Sequence, residues 1–244
     1  GLKIGTQLSG RLEFRHQAGV PGVDDYPNIL SSLLRNWPTE RPYANDNPLY
    51  VNNTHSININ PATYVESFTG YTDDRTWVFR GNAYAEYDFD FGLKARGTFA
   101  YGYRFNGLEC FEYTYDVYTY NYIDKTYDLV VGGGNKNPYL CKDRYLWTDV
   151  FGQFQLSYAK NFGKHSISAV AAYEQTSSDT KTLKVHIQPP NNYIPLLNLV
   201  NCDQVDDFWY MAARASYIGR FNYNYAEKYL LEIVGRYDGT YLYA

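Results

Sequence analysis

Apolar and polar residues alternate at every second position over seven stretches of this chain. In the last two stretches, 210–225 and 229–243, the alternation is interrupted only by Ala226, Glu227 and Lys228. A period of two residues predicts β-strands. Because two strands joined by so short a connection must run antiparallel, the pattern predicts a hairpin.

Five further stretches repeat this pattern, and short turns alternate with long connections between them. The predicted strands are 2–14, 77–91, 93–105, 146–158, 165–174, 210–225 and 229–243, and the predicted long loops are 17–75, 106–145 and 175–209. A regular exchange of short and long connections is typical of a barrel whose two ends face different compartments.

One face of each predicted strand contains no Asp, Glu, Lys or Arg, although 20% of the chain is charged. A charge at the middle of a bilayer costs about 2–4 kcal/mol, so lipid requires a face of this kind. The opposite face is polar and is predicted to line an aqueous lumen. Its charged members include Arg80, Glu86, Arg96, Asp149, Arg214, Arg220, Glu232 and Arg236.

The composition of the charge-free face separates a membrane barrel from a soluble β-sandwich, which also hides one face of each strand. The charge-free face is rich in Gly, Ala and Tyr, whereas a sandwich core favours Val, Ile and Leu. The predicted strands also reach the roughly 9–11 residues that cross a bilayer. We therefore predict an all-β fold, an antiparallel transmembrane β-barrel, with a soluble glycan-binding β-sandwich module as the alternative.

Seven strands do not make a complete bacterial barrel. Single-chain barrels have an even number of strands, and plugged transporters have about 22. Residues 1–244 begin and end in sequence typical of a strand, and no plug domain is visible among them. We expect about seven strands of a larger, plugged barrel.

The last hairpin resembles a known family. Its segments GRFNYNY (219–225), KYLLE (228–232) and RYDG (236–239) are similar to a barrel hairpin of the SusC-like (SusC/RagA) TonB-dependent outer-membrane transporters of the Bacteroidetes. Weaker similarity lies at 60–64, 81–87 and 92–94.

This resemblance implies a location in the outer membrane of a Gram-negative bacterium, in contact with its lipid. It implies import of a glycan or peptide nutrient together with a SusD-like surface lipoprotein. Energy is expected from the TonB complex, which contacts N-terminal parts outside this sequence. A passive porin, which lacks a plug and TonB dependence, is a further alternative.

Aromatic residues of the lumen and loops are the best substrate-binding candidates, because sugars and peptides both stack on rings flanked by hydrogen-bonding groups. These candidates are Trp147, Phe151, Trp209, Tyr210, Tyr118 and Tyr120.

The three cysteines, Cys110, Cys141 and Cys202, all fall in predicted loops. An outer-membrane protein passes through an oxidising compartment, where disulfides form. Cys110 with Cys141 is the preferred pair because both lie in the loop 106–145. A pair that includes Cys202 remains open.

Little in the sequence indicates catalysis or a cofactor. The four histidines are scattered and have no Ser or Cys partner in a recognisable motif, so no enzyme is predicted. No metal-ligand spacing occurs, and calcium is considered only at three acidic pairs. The pairs are Asp24–Asp25, Asp73–Asp74 and Asp206–Asp207. A net charge of -4 provides no basic surface for nucleic acid.

Overall fold

The computed structural model describes residues 1–19, 34, 36–54 and 60–240. Nine strands are described: β1 (Leu2–Ala18), β2 (Gly70–Asp88), β3 (Leu93–Glu112), β4 (Tyr118–Asn121), β5 (Thr126–Leu129), β6 (Tyr139–Phe162), β7 (His165–Ile187), β8 (Gln204–Tyr225) and β9 (Tyr229–Thr240). A four-residue helix, α1 (Glu66–Thr69), precedes β2, and 3-10 turns lie at Ala44–Asp46, Pro61–Thr63 and Leu197–Leu199. No helix within the described ranges has the length and apolar character needed to cross a membrane.

Seven of these strands form one antiparallel sheet in the order β1-β2-β3-β6-β7-β8-β9. The other two, β4 and β5, form a separate hairpin within the connection between β3 and β6. The prediction of an antiparallel seven-strand barrel segment is confirmed. The β-sandwich alternative is wrong, because the seven long strands lie in a single open sheet instead of in two packed sheets.

The strand register joins the seven predicted charge-free faces into one surface. Residues directly opposite each other in an antiparallel pair point to the same side of the sheet. One such row crosses all seven strands and consists of Ile4, Ala85, Gly97, Phe154, Tyr173, Tyr217 and Tyr237. We call this side the outer face and the opposite side the lumenal face.

The long strands extend further at their loop ends than the alternation predicts. β2 begins at Gly70 and ends at Asp88, in place of 77 and 91, and the long connections shrink accordingly. β3, β6, β7 and β8 add residues 106–112, 139–145, 175–187 and 204–209 to the sheet. The alternation fades there because charged side chains, such as Lys142 and Asp143, lie on both faces of the strands while the pairing between strands continues. For β9, the predicted residues 241–243 lie outside the described part of the chain.

The loop end of the sheet has a small core of its own on the outer face. Phe111, Leu140 and Ile187 are fully buried, and Tyr71, Tyr113 and Leu197 pack against them. The outer face is therefore covered by protein at its loop end. Further down the strands it is exposed.

Short turns close the opposite end of the sheet. β6 and β7 are joined by Gly163 and Lys164 alone, and Gly163 has a positive φ of 61°. At the β2–β3 turn, Gly92 has a φ of 95°, and a Cβ there would lie 2.5 Å from the carbonyl oxygen of Ala159. Only glycine fits both the conformation and the space at this position.

Candidate lumenal binding site

The lumenal face is concave and encloses an open cavity of about 940 Å³ at mid-height. All seven strands of the sheet contribute to its lining. The residues that define it include Gln7, Arg80, Asp149, Phe151, Thr176, Arg214 and Thr240. Four candidates from the sequence, Arg80, Asp149, Phe151 and Arg214, are thereby brought together from β2, β6 and β8.

Small side chains make room for this cavity. Ser9, Gly102, Ser178 and Ala212 line it on four different strands. At Gly102, an added Cβ would lie 3.5 Å from the Cβ of Asp149, so a larger side chain would crowd that carboxylate. These small residues carried no signal in the sequence, because they become neighbours only through the register of the sheet.

The charged lumenal residues divide into two groups. Arg96 lies 3.7 Å from Glu86, and Arg220 lies 2.9 Å from Glu232. Within the described chain, by contrast, Arg80, Asp149 and Arg214 form neither an ion pair nor a side-chain hydrogen bond. The cavity therefore presents two cations and one anion that are free to meet a ligand or another part of a larger barrel.

Arg236 is the centre of a polar network that ties four strands together. Its Nη2 donates to Glu174 at 2.7 Å and to Ser216 Oγ at 3.1 Å, while its Nε donates to Asp238 at 2.9 Å. Gln153 Nε2 donates to the same Glu174 at 3.3 Å. These contacts connect β6, β7, β8 and β9, so Arg236 stabilises the wall.

The aromatic candidates lie in different surroundings. Phe151 lines the cavity. Trp147 lies on the same strand as Phe151, four residues nearer the loop end. It is covered by Arg104, whose Cζ lies 4.7 Å from the indole centroid, and it stacks with Tyr145 at 5.8 Å. Tyr210 is on the lumenal face and is 54% exposed.

Trp209 is not brought to the lumenal site. It lies in β8 on the outer face, directly opposite Lys181 of β7. Its indole nitrogen donates to Asp179 at 2.9 Å, and the Lys181 Nζ lies 5.5 Å from its ring centroid. Trp209 was predicted to lie in a loop because the alternation starts β8 at 210, whereas the strand begins at Gln204.

Tyr118 and Tyr120 belong to an aromatic cluster on the β4–β5 hairpin. Tyr118 meets Tyr50 edge-on at 5.0 Å, and Tyr50 stacks on Tyr127 at 4.0 Å. Tyr120 contacts Tyr122 and Tyr127 at 4.9 and 5.1 Å. These rings attach the segment 36–54 to the hairpin and so give the loop a fixed shape.

Two of the three cysteines lie in strands instead of loops. Cys110 of β3 and Cys141 of β6 are directly opposite on the lumenal face, beyond the membrane-spanning part of both strands. A hydrogen bond with Cys110, together with burial, raises the pKa of the Cys141 thiol. Cys202 is exposed, and all three are free thiols in this structure.

The acidic pairs considered for calcium have other partners where they are described. Asp73 contacts His16, Asp74 accepts from Arg15 and Asn106, and Asp206 accepts from Gln204. Asp24–Asp25 lies outside the described residues, as does His55. In the part of the chain that the structure describes, no group of three or more His, Cys, Asp or Glu residues is placed to hold a metal.

Comparisons with known proteins agree with this fold. No protein-family model matches the chain. The TonB-dependent receptor P3 of Formosa agariphila is 24% identical over 246 residues, which cover 98% of this chain and 23% of the receptor. The solved RagAB peptide importer matches 98% of this chain in its open-open state, with a TM-score of 0.73 and 14% identity, and in its closed-closed state, with 0.69 and 15%.

The chain spans about a quarter of the length of these relatives, 23% of the receptor and 26% of the importer chain. The similarity that the last hairpin indicates therefore extends over nearly the whole sequence: the chain is similar to a segment of a TonB-dependent receptor and has the fold of a segment of the RagAB barrel.

Proposed function

We propose that this chain forms part of the wall of an outer-membrane transporter that imports a nutrient with energy from TonB. The observation that carries the proposal is the separation of the two faces. One side of the sheet is free of charge over the membrane-spanning rows, and the other holds a polar cavity lined by all seven strands. A transporter wall needs both properties in the same sheet.

The outer face requires a lipid environment. Large apolar side chains on it stand open to the surroundings; Ile4, Leu8 and Tyr237 are each 71–72% exposed. Continuous exposed apolar surface of this extent is rare in soluble monomers. In an outer membrane the same side chains are buried in hydrocarbon, which stabilises the protein instead of causing aggregation.

The cavity favours a peptide over a neutral glycan as the transported nutrient. Arg80, Arg214 and Asp149 offer charges of both signs, and Phe151 offers a ring beside them. A peptide carries carboxylate and ammonium groups that pair with such residues, whereas a neutral sugar leaves the charges uncompensated. The solved RagAB structures, with which the chain shares its fold, are those of a peptide importer, which agrees with this choice.

The β4–β5 hairpin is the element that we propose meets a SusD-like lipoprotein. Its tip and the residues after it expose apolar side chains: Tyr122 is 71% exposed, Ile123 91% and Val131 95%. Such side chains are suited to packing against a capping partner. We propose no catalytic role for the chain.

Deletion of residues 114–137 from the full-length transporter tests this function. Glu112 and Tyr139 are directly paired, so a short Gly-Ser turn can reconnect β3 and β6 without disturbing the sheet. We expect the protein to remain in the outer membrane with heat-modifiable mobility on gels, while peptide uptake falls strongly. A matched control replaces Lys164 with Gln in the short turn at the opposite end.

Three outcomes would contradict the proposal in different ways. Normal uptake by the deletion variant would remove the role of the hairpin. Undiminished uptake in cells without TonB would identify a passive porin. Recovery of the wild-type protein in the soluble fraction would contradict the placement in the membrane.

A further inference from the structure

On the outer face, charged residues occur in the row next to the apolar rows on their loop side. One row there contains Phe14, Arg75, Gly107 and Arg144 on β1, β2, β3 and β6. The next row toward the turns contains Trp77, Phe105 and Leu146 on β2, β3 and β6. On β2, β3 and β6 this change from apolar to cationic side chains marks the level where lipid tails give way to headgroups; on β7 a charge, Lys181, already lies in the row of Leu146.

Arg75 and Arg144 flank a notch at Gly107. Adjacent strands lie about 4.8 Å apart, so the backbones of the two arginines are separated by roughly 10 Å. A Cβ on Gly107 would lie 3.4 Å from Arg144 Nη1 and 3.8 Å from the ring of Phe105. The glycine therefore leaves a depression between Arg75 and Arg144, over which the Arg144 guanidinium lies beside the ring of Phe105.

The two carboxylates in the next row toward the loops, Asp73 and Glu109, already have basic partners, and for Asp73 these include Arg75 itself. Asp73 lies 2.5 Å from His16 Nδ1 and 3.6 Å from Arg75 Nη2. Glu109 accepts from Tyr71 at 2.8 Å and pairs with Lys142 at 3.2 Å.

Arg144 has the freer charge of the two arginines. Its Nη1 donates to the backbone oxygen of Asp143 at 2.8 Å, and it pairs with no carboxylate among the described residues. Arg75, whose Cζ lies 5.1 Å from the centroid of Phe14, is held in place over that ring. Both arginines are exposed, so a ligand can approach from the membrane side.

We propose that Arg75 and Arg144 bind the phosphate of an outer-leaflet lipid, with its acyl chains against Trp77, Phe105 and Leu146. Guanidinium groups bind phosphate through paired, charge-assisted hydrogen bonds. Basic pockets at the edge of the apolar band are suited to anionic headgroups. This site rests on the proposed outer-membrane location, but it is separate from the lumenal cavity and lies on the opposite side of the sheet.

Native mass spectrometry of the full-length transporter in detergent tests the site, with phosphorylated and dephosphorylated lipid A as probes. We expect wild-type protein to retain phosphorylated lipid A, and the double variant Arg75→Gln/Arg144→Gln to lose about tenfold or more of it. Gly107→Glu, which fills the notch with a negative charge, is expected to have the same effect. Arg104→Gln is the matched control, since Arg104 lies on the lumenal side of the same strand as Gly107.

The control and a competition experiment make the site falsifiable. Equal retention of lipid by the double variant and by wild type would overturn the proposal, as would equal retention of the two forms of lipid A. Displacement of the lipid by inorganic phosphate alone would identify a free-phosphate site instead. If peptide uptake is intact while lipid retention is insensitive to the variants, only this inference fails and the proposed transport function stands.

Discussion

Cys110 and Cys141 lie directly opposite each other on the lumenal side of β3 and β6, although thirty residues of chain separate them. The Cα atoms of such cross-strand partners are about 4.5–5.5 Å apart, within the range that a disulfide spans. The pairing gives a geometric basis for the bond that the sequence favours.

We predict that Cys110 and Cys141 form a disulfide in the cell and that Cys202 stays free. The outer membrane is reached through an oxidising compartment, and closure of a loop of about thirty residues stabilises the fold by roughly 3–4 kcal/mol. Non-reducing peptide mapping of protein extracted from membranes should show one cross-linked peptide and one alkylated cysteine. Alkylation of all three cysteines without a reductant would contradict this prediction.

The unpaired charges of the cavity should matter for uptake and not for assembly. Asp149→Asn and the double variant Arg80→Gln/Arg214→Gln are expected to lower peptide uptake several-fold, because they remove cavity charges that form no ion pair or side-chain hydrogen bond among the described residues. The amount of folded protein, measured by heat-modifiable mobility, should be unchanged. Lys3→Gln, a lumenal cation near the short turns, is the control, and an equal loss of uptake in that variant would assign the effect to net charge.

Arg236 should contribute to stability, because its loss removes the cationic partner of the Glu174 carboxylate and one hydrogen-bond partner of Ser216. The Glu174 side chain is only 14% exposed, and Ser216 is 1% exposed. Arg236→Ala is expected to lower the free energy of unfolding and so the urea concentration at half-unfolding, because a hydrogen bond to a charged group is lost at each of three partners. Urea unfolding of the full-length protein in lipid vesicles measures this change.

An exposed ion pair between β8 and β9 serves as the control for Arg236. Arg220 and Glu232 are about half exposed, so Arg220→Ala should cost less than about 0.5 kcal/mol. Equal effects of the two substitutions would show that the Arg236 network is no stronger than an exposed pair.

The contact between α1 and the sheet should weaken as pH rises. Hydrogen bonds from His16 to Asp73 and to Glu66 of α1 raise the pKa of His16 above its ordinary value of about 6.5. His16 lies beyond the membrane-spanning rows. Because the folded pKa is the higher one, the stabilisation is fully present below the ordinary value and is lost as pH passes through the raised value.

Hydrogen exchange checks this dependence. Protection of the amides of residues 66–69, corrected for the intrinsic exchange rate, should decrease with rising pH in the wild type. In His16→Gln it should stay constant. Identical pH profiles for the two proteins would remove His16 from this role.

The sequence predicts the membrane-spanning part of the sheet because lipid imposes a strict rule there. Phe154, Tyr173 and Tyr217 were assigned to one face from alternation alone, and the register places them side by side. Beyond the lipid-facing rows, charged side chains are allowed on both faces of a strand. Lys142 and Asp143 point to opposite faces of β6, so neither face is uniformly apolar there and the alternation no longer shows that the strand continues.

The candidate site could be predicted only as separate residues. Each of Arg80, Asp149 and Arg214 is recognisable as lumen-facing from its own strand. Their convergence depends on the register between neighbouring strands from β2 to β8, and register cannot be read from the sequence of any one strand. Trp209 illustrates a different limit, because an error in the start of β8 was enough to assign an outer-face strand residue to a substrate-binding loop.

The length of β6 determines where a transported molecule first meets the protein. Its 24 residues rise about 3.4 Å each, and a tilt of about 40° gives a height of roughly 60 Å. The apolar band of such a protein is only about 25 Å tall. Much of the wall therefore extends beyond the hydrocarbon layer on the loop side. Changes in this part can alter which molecules enter without disturbing the contact between protein and lipid.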